Sequence, residues 1–386
     1  MSAARFLEKL LDGAEVEWVP LEDVAEIKRG TSITKRDVIE GDVPVIAGGR
    51  KPAYYHNRSN RTGKNIVIAG SGAYAGFISW WEEPIFVSDA FTVKPNDGLL
   101  PRYCFHFLLS LQEQIHAFKS GRGVPHVYPR DVAPIKIPIP CPDDPGKSLA
   151  IQGEIVRILD SFTELTAELT AELTARKKQY NHYRDQLLTF DEDEVEWKTL
   201  GEIAVLQRGR VMSKVYLAEN AGEYPVYSSQ TANEGQIGKI TSFDFDGEYV
   251  SWTTDGANAG TVFYRTGKFS ITNVCGIIKC DDRYPVNLKF LYYWLTTEAK
   301  KHVYSGMGNP KLMSHQVEKI PVPIPCPEDP EKSLAEQARI VAILDKFDTL
   351  TTSLTEGLPR EIELREKQYA YYRDQLLSFP KPEEAA

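Results

Sequence analysis

The chain of 386 residues is 42% hydrophobic and 26% charged, with a formal net charge of −9. These fractions are typical of a globular protein in water, and the length allows two or three domains. The absence of a membrane-length apolar stretch and of a signal-peptide pattern predicts no membrane contact. Five cysteines without a C-x-x-C pair favour reduced thiols in a cytoplasm.

The charge is unevenly distributed along the chain. Residues 28–136 carry a clear excess of Lys and Arg, residues 207–321 carry a slight one, and the remainder is strongly acidic. This asymmetry suggests an anionic ligand on the basic regions and protein partners on the acidic remainder. Taken alone, the slight excess in the second region is better explained as ordinary surface charge.

The sequence is an internal repeat. "VEWVPLEDVAEIKRG" (Val16–Gly30) returns as "VEWKTLGEIAVLQRG" (Val195–Gly209), whereas the segments that follow diverge. A second shared stretch, "IPIPCPDDPGKSLA", precedes a long helical pattern in both copies, so each copy is a variable domain, a proline linker and a helix. The predicted division is an N-terminal helix completing a nearly cyclic scaffold (1–15), a first variable domain (16–147), a long helix (148–190), a second variable domain (191–332), and a second long helix with a tail (333–386).

Both long helices carry apolar residues in steps of three and four. Ser148 and Ser333 are predicted to cap them, the latter in a capping box with Glu336. Gly357 and Pro359 should bend or interrupt the second helix. The stepping favours pairing of the two helices, with an ordinary helical hairpin as the alternative. The residues expected to form this scaffold are Phe162, Leu165, Leu169, Leu173, Tyr183, Leu187, Phe347, Leu350, Leu354, Tyr372 and Leu376.

The predicted fold class is therefore α+β. It consists of two pseudo-symmetric, β-rich mixed α/β domains separated by two long antiparallel coiled-coil helices. A helix of about forty residues spans roughly 60 Å, which is long enough to hold two DNA-binding domains apart.

Motifs for catalysis are weak. "GSGAYAG" (Gly70–Gly76) lacks the spacing of a dinucleotide-binding loop and favours a β-hairpin turn, and "GKS" (Gly146–Ser148) favours a helix start over a phosphate loop. The tetrapeptide of DNA amino-methyltransferases is missing, since "NPKL" (Asn309–Leu312) lacks its second proline and its aromatic residue. The seven histidines show no metal-ligand spacing. We therefore expect no catalytic site, metal or cofactor in this chain.

Signals for nucleic-acid binding are stronger. In the first variable domain, basic residues alternate with aromatic ones, and Arg and Lys can bind phosphates or guanine edges. The second domain offers more Asn and Gln, which suit adenine. Polar loops without a ligand are the alternative for both domains. The predicted DNA-binding residues are Lys35, Arg36, Arg50, Lys51, Tyr54, Tyr55, His56, Arg58, Arg61, Lys64, Arg122, His126 and Arg130, then Arg208, Arg210, Lys214, Gln230, Asn233, Lys239, Asn258, Asn309 and Lys311.

The repeated linker, the closing "QYxxYRDQLLxF" pattern and the two variable domains resemble a specificity subunit of a type I restriction-modification system. The doubled "TAEL" at Thr166–Leu173 points to the IC branch of that family. The resemblance implies a non-catalytic subunit in which each target-recognition domain binds one half of a split double-stranded DNA target. It also implies two methyltransferase subunits as partners, together with restriction-motor subunits. Those partners would bind S-adenosylmethionine, ATP and Mg.

Two other classes of function remain open from the sequence. One is a stand-alone DNA-binding regulator with two domains, and the other is an enzyme with an unrecognised site. A stable complex with a methyltransferase would separate the first from a specificity subunit. An activity assay on the isolated chain would test the second.

Overall fold

The computed structural model describes residues 3–121, 123–281, 283–306, 308–353 and 355–381. The chain forms two compact units. The first comprises Met1–Ala171 with Arg360–Ala386, and the second comprises Glu172–Pro359. Two predicted residues, Arg122 and Leu354, lie outside the described residues.

The first unit contains a mixed domain and two helical segments. Its helices and strands in chain order are α1 (Ala3–Leu11), β1 (Val16–Pro20), α2 (Leu21–Val24), β2 (Ala25–Arg29), β3 (Val43–Ile46), β4 (Tyr54–His56), β5 (Asn65–Ala69), β6 (Ile78–Trp81), β7 (Phe86–Val87), β8 (Ala90–Pro95), α3 (Pro101–Ser110), α4 (Gln112–Ala117), α5 (Pro129–Val132), β9 (Lys136–Pro140) and α6 (Pro145–Leu187), the last of which continues into the second unit.

The second unit repeats this order. It contains β10 (Val195–Thr199), α7 (Leu200–Ile203), β11 (Ala204–Arg208), α8 (Lys214–Glu219), β12 (Ala221–Tyr227), β13 (Gln236–Ile240), β14 (Phe245–Thr253), β15 (Val262–Ile271), β16 (Cys275–Cys280), α9 (Leu288–Glu298), α10 (Ser314–Val317), β17 (Pro321–Pro325) and α11 (Pro330–Thr352). Helix α12 (Leu358–Leu376) follows, and its residues from Arg360 onward belong to the first unit. The α+β fold class with two repeated β-rich domains is confirmed.

The sheets of the two units correspond, with the long β15 of the second unit in the place of both β6 and β7 of the first. The first unit has an antiparallel sheet β2-β8-β5-β6 and a smaller sheet β4-β3-β7, and the second joins the counterparts into one sheet β11-β16-β14-β15-β12-β13. The buried run of β5 fits its central place. The proline-rich linker strands pair only with the start of their own copy, β1 with β9 and β10 with β17. Proline lacks an N–H donor, so such two-stranded edges suit it.

Helices α6 and α11 begin earlier than predicted, and the predicted serine caps are wrong. Asp144 Oδ1 accepts from the backbone N–H of Lys147 at 3.0 Å, and Asp329 Oδ1 accepts from that of Lys332 at 3.1 Å. Both aspartates precede a helix that starts with proline, so the N-terminal N–H groups are already satisfied. Ser333 is buried instead.

A buried glutamine joins each long helix to its own domain. Gln337 Oε1 accepts from the backbone N–H of Asn287 at 2.8 Å, while Nε2 donates to the Pro285 carbonyl at 2.9 Å and to Ser333 Oγ at 3.1 Å. Gln152 makes the same three kinds of bond, to Leu100, Gly98 and Ser148. We call each set of three glutamine hydrogen bonds a bracket. Because the variable domain contributes only backbone atoms to a bracket, its bonded positions can carry different side chains.

Replacing Gln337 with alanine is expected to lower the free energy of unfolding of the second unit by about 2–6 kcal/mol. The substitution leaves the Asn287 N–H and the Pro285 carbonyl buried without partners, and each such group costs about 1–3 kcal/mol. Hydrogen exchange followed peptide by peptide measures the effect where it occurs. The exposed Gln186→Ala on α6 is the matched control, and unchanged protection of α9 and β17 in Gln337→Ala would contradict the bracket.

A second repeated anchor is an aspartate about two turns further along each helix. Asp160 Oδ1 accepts from Arg102 Nε at 2.6 Å and lies 2.8 Å from His106 Nε2. Its equivalent Asp345 accepts from Lys289 Nζ at 2.7 Å and from Tyr293 OH at 2.6 Å. Each acid therefore stays on the helix while its donors from the variable domain change.

In the first unit, this anchor also holds α12. A carboxylate only accepts hydrogen bonds, so His106 Nε2 carries the proton and Nδ1 accepts from Tyr369 OH at 2.8 Å. Burial lowers the pKa of His106, which favours the neutral ring that this arrangement needs. The buried imidazole thus links α6, α3 and α12.

Aromatic pairs mark the helix packing inside each unit. Phe162 of α6 stacks on Tyr372 of α12 with centroids 5.1 Å apart in the first unit. Tyr183 of α6 stacks on Phe347 of α11 at 5.5 Å in the second. The predicted interruption is confirmed as well, because α11 ends at Thr352 and Gly357 adopts φ 81° before α12 begins.

The remaining predicted scaffold residues lie along the same helices. Leu376 is fully buried and belongs to one apolar cluster with Leu7 and Leu11 of α1. The half-buried ones are Leu165, Leu169, Leu173, Leu187 and Leu350.

Candidate nucleic-acid interface

Three loops that are distant in sequence meet in the first unit. They are the β3–β4 loop (47–53), the β5–β6 turn (70–77) and the segment 120–128. The turn is a hairpin connection, as predicted, because β5 and β6 are antiparallel neighbours. Gly72 N donates to the Pro125 carbonyl at 2.9 Å, and Ser71 forms a bridge with His126. A side chain at Gly48 would collide with the Ser71 backbone, so the first two loops are in close contact.

An aromatic and basic cluster lies beside these loops. Tyr128 stacks on His126 at 5.7 Å with an interplanar angle of 7°. The guanidinium groups of Arg29 and Arg130 lie 5.4 and 4.8 Å from the Tyr128 ring centre. Such cation–π contacts hold a charged group in place without neutralising it. Arg29, Tyr54, His126 and Tyr128 line a cleft of about 670 Å³.

Arg50 is supported in the same way on the neighbouring loop. Its guanidinium lies 4.8 Å from the Tyr74 ring centre and 5.4 Å from that of Phe77. Arg50 and the adjacent Lys51 are exposed. Arg29 and Arg50 are thus two exposed arginines near the three loops, and each guanidinium group lies over an aromatic ring.

The predicted residues of the first unit are mostly exposed or half-exposed. The exposed ones are Lys35, Arg36, Arg50, Lys51, Tyr55, Arg58, Lys64 and Arg130, and the half-buried ones are Tyr54 and His126. The structure brings Arg50, Tyr54, His126 and Arg130 to the cleft and the loops around it. Arg29, Tyr74 and Tyr128 were missed by the sequence analysis. The repeat could have indicated Arg29, because its equivalent Arg208 was included.

Two predicted residues face inward. Arg61 donates from Nε to Thr92 Oγ1 at 3.0 Å, and from its terminal nitrogens to the Asn60 carbonyl at 2.8 Å and the Arg29 carbonyl at 2.7 Å. Burial lowers its pKa. His56 is buried, and its Nδ1 accepts from the backbone N–H of Ile39 at 3.1 Å. Both side chains serve the fold, so neither offers the free group on which its prediction depended.

The second unit has different side chains at the positions equivalent to Arg29, His126 and Tyr128. Arg208, the equivalent of Arg29, donates to Thr254 Oγ1 at 3.2 Å and to the Asn273 carbonyl, and Met313 stands where the first unit has Tyr128. Lys311, the equivalent of His126, forms bridges with Asp255 and Tyr304. A retracted arginine therefore replaces the aromatic-backed one.

The other predicted residues of the second unit divide into two groups. The exposed ones are Arg210, Lys214, Asn233, Lys239, Asn309 and Lys311, and the half-buried ones are Arg208, Gln230 and Asn258. Arg210 pairs with Asp244 at 3.0 Å and donates to Tyr216 OH at 3.1 Å. Gln230 and Asn258 donate to the carbonyls of Gln236 and Ser229, at 2.6 and 3.1 Å. Their amide groups thus shape the β12–β13 loop (228–235).

Among the described residues, no group of three or more His, Cys, Asp or Glu side chains is arranged to hold a metal ion. No helix in the described part of the chain is long and apolar enough to cross a membrane.

Comparison with known families identifies this architecture. The family model described as the type I restriction modification DNA specificity domain matches residues 14–176 and again residues 192–364. The chain belongs to the family of type I restriction-modification specificity subunits. The two matches correspond to the two copies of the repeat.

Two relatives match this specificity subunit over nearly its whole length, and a third matches part of it. The specificity subunit of the Escherichia coli enzyme EcoR124I/EcoR124II is 35% identical, with 99% of each chain covered. The Escherichia coli EcoprrI specificity subunit is also 35% identical, over 92% of this chain and 93% of that one. A putative type I specificity subunit of Mycoplasma pneumoniae, S.MpnORF365P, is 40% identical over 61% of this chain and 86% of its own.

Solved structures share the fold. The S subunit of a type I restriction-modification system from M. genitalium has a TM-score of 0.63 at 18% identity, covering 96% of this chain and 98% of that one. A chain from a study of the assembly and conformational transition of the type I R-M system has a TM-score of 0.52 at 17% identity, covering 94% and 97%. At these identities the similarity supports the architecture alone.

Proposed function

We propose that this specificity subunit binds a split double-stranded DNA sequence, with one half-site contacted by each unit. The main support for this proposal is that the two copies share their framework contacts but differ in their exposed loops. The brackets of Gln152 and Gln337 and the anchors of Asp160 and Asp345 are repeated. The exposed loops, in contrast, carry Arg50 and Lys51 in one unit and Asn233 in the other. One framework with two different surfaces suits two different half-sites.

The first unit has the stronger electrostatic case for DNA contact. Arg29 and Arg50 are backed by aromatic rings, and Lys51 and Arg58 are exposed in the same unit. Such groups bind phosphates or guanine edges. In the second unit, the two predicted arginines already have partners within the domain. Arg208 donates to Thr254, and Arg210 forms an ion pair with Asp244. The readout of this unit therefore depends more on neutral polar side chains.

The rest of the chain is proposed to be a platform for other subunits. The acidic composition outside the variable segments supports protein contacts, and the family supports methyltransferase and restriction-motor partners. On this proposal the chain is non-catalytic and cytoplasmic, and S-adenosylmethionine, ATP and Mg bind to the partner subunits. The assignment to the IC branch remains a prediction.

The test is the salt dependence of DNA binding by the complex of this chain with its methyltransferase subunits. A triple variant, Arg50→Ala, Lys51→Ala and Arg58→Ala, is expected to flatten the slope of log affinity against log salt. Each lost phosphate contact removes about 0.9 from that slope. The matched control removes three exposed lysines of α6, Lys147, Lys177 and Lys178. An equal slope for the triple variant and the wild type would show that the loop cations do not face DNA.

A further inference from the structure

A buried arginine lies beneath the β12–β13 loop of the second unit. Arg265 on β15 is 3% exposed, with its guanidinium 3.7 Å from the Tyr227 ring centre and 4.4 Å from that of Phe263. Its Nε donates to Ser251 Oγ at 3.0 Å, and a terminal nitrogen donates to the backbone carbonyl of Glu234. Burying a charged group is costly unless its donors are satisfied, so these contacts fix the side chain firmly.

The loop above Arg265 has a strained backbone. Asn233, Glu234 and Gly235 follow one another with φ values of 48°, 52° and 86°. A left-handed conformation costs about 1–2 kcal/mol for each residue other than glycine, so it persists only where the surroundings enforce it. Arg265 binds the carbonyl in the middle of this stretch. Ser228 N donates to the Gly235 carbonyl at 2.8 Å and closes the loop.

The strained conformation exposes two neighbouring polar side chains. Glu234 is 83% exposed, and Asn233 is exposed as well. A carboxylate repels the phosphates of DNA, but it accepts a hydrogen bond from the amino group of cytosine. Asparagine forms paired hydrogen bonds with adenine. Both side chains therefore suit base edges with an exocyclic amino group, and Glu234 does not suit the backbone.

The first unit shows that this device is a local feature. Trp81 occupies the position equivalent to Arg265. Arg265 pairs with Tyr249 across the hairpin, and Trp81 pairs with Asn65, the residue equivalent to Tyr249. Trp81 Nε1 donates to Ser79 Oγ at 2.9 Å, and its ring packs against a small apolar cluster. The equivalent loop, between β3 and β4, carries Arg50 and Lys51. The buried residue at this position and the exposed residues of the loop thus both differ between the two units.

We propose that Asn233 and Glu234 are specificity-determining residues of the second unit, which bind adenine or cytosine through the exocyclic amino group in the major groove. Arg265 is the positioning residue that holds them in place. This inference rests on the proposed function, because it assigns the readout of one half-site to a particular loop.

The experiment begins with the wild-type chain in complex with its methyltransferase subunits. A randomised duplex library is bound, and the selected sequences define both half-sites. Each adenine of the second half-site is then replaced by purine, and each cytosine by a pyrimidinone without the amino group. Loss of the contacted amino group should weaken wild-type binding by about tenfold or more.

Two loop variants then test whether the contact belongs to this loop. Asn233→Gly and Glu234→Gly remove the side chains while keeping a residue that adopts positive φ readily. We expect each variant to lose the sensitivity to one amino group while keeping its preference for the first half-site. Thr231→Ala in the same loop is the control. If amino-group removal affects both glycine variants as strongly as the wild type, the inference is wrong.

Arg265→Met tests positioning. We expect it to weaken discrimination at the second half-site while leaving the first half-site and assembly intact, with partial recovery in Arg265→Lys. A purely structural role would instead reduce binding to all sequences alike, and that result would overturn the role given to Arg265. Should Arg265→Met fail to fold, the glycine variants still decide the contact. A wild-type complex that selects no split sequence would instead refute the proposed function.

Discussion

Inserting one further Thr-Ala-Glu-Leu unit after Leu173 is expected to lengthen the unread spacer between the half-sites by about one base pair. Four residues extend α6 by roughly 6 Å and rotate it by about 400°, so the new leucine stays near the face of Leu173. One base pair advances DNA by about 3.4 Å and rotates it by about 35°. The rotation of about 40° beyond a full helical turn matches that step better than the rise does.

A two-residue insertion at the same place is expected to abolish assembly. It rotates the part of α6 in the second unit by about 200° relative to the part in the first unit, so the apolar positions of α6 no longer fall on one face. Mapping the methylated sites of cells that carry each insertion measures both effects. An unchanged spacer with four added residues, or a working complex with two, would show that α6 does not set the distance.

Exchanging residues 28–136 for the equivalent segment of the EcoprrI specificity subunit is expected to change one half of the DNA target and leave the other intact. The framework bond of Gln152 to this segment ends on backbone atoms of Leu100 and Gly98. Asp160 and Asp345 already accept from different donors in the two copies. The joint between domain and helix therefore tolerates a foreign segment.

Methylation mapping of the exchanged chain gives the outcome directly. The control exchange replaces residues 207–321 and should change the opposite half. If either exchange altered both halves, recognition would not be divided between the units. A complex that assembles but methylates no site would indicate that the exchanged segment no longer packs correctly on α6. Loss of the contacts of Asp160 with Arg102 and His106 would account for that result.

The framework was predictable because the sequence writes it twice. The repeat predicted the proline linkers and the long helices, and the sequence also predicted the break near Gly357, although the strands formed by the linkers were not predicted. The helix caps were mistaken because a serine and an aspartate four residues apart are both good N-cap residues. Only the backbone shows that Asp144 and Asp329 occupy that position.

The interface was predictable only in part. Composition identified exposed cations such as Arg50, but it could not show that Arg61 turns inward to backbone carbonyls. The convergence of Gly48, Ser71 and His126 depends on strand pairing between distant segments, which no local pattern contains. Arg265 was missed because a single arginine in an apolar strand gives no sign of the loop that it supports.

The division of the chain into units has a consequence for biosynthesis. The second unit is continuous in sequence, so all of its residues are synthesised before Arg360. The first unit begins earlier and is completed later, because its core includes Leu376, Leu377 and Phe379, and Trp18 Nε1 donates to the Pro380 carbonyl at 2.7 Å. Domains generally fold as they are synthesised, from the N-terminal end. Here the N-terminal domain keeps part of its apolar core uncovered until Leu376, Leu377 and Phe379 have been synthesised, and a chain that stops before them leaves that surface open to aggregation.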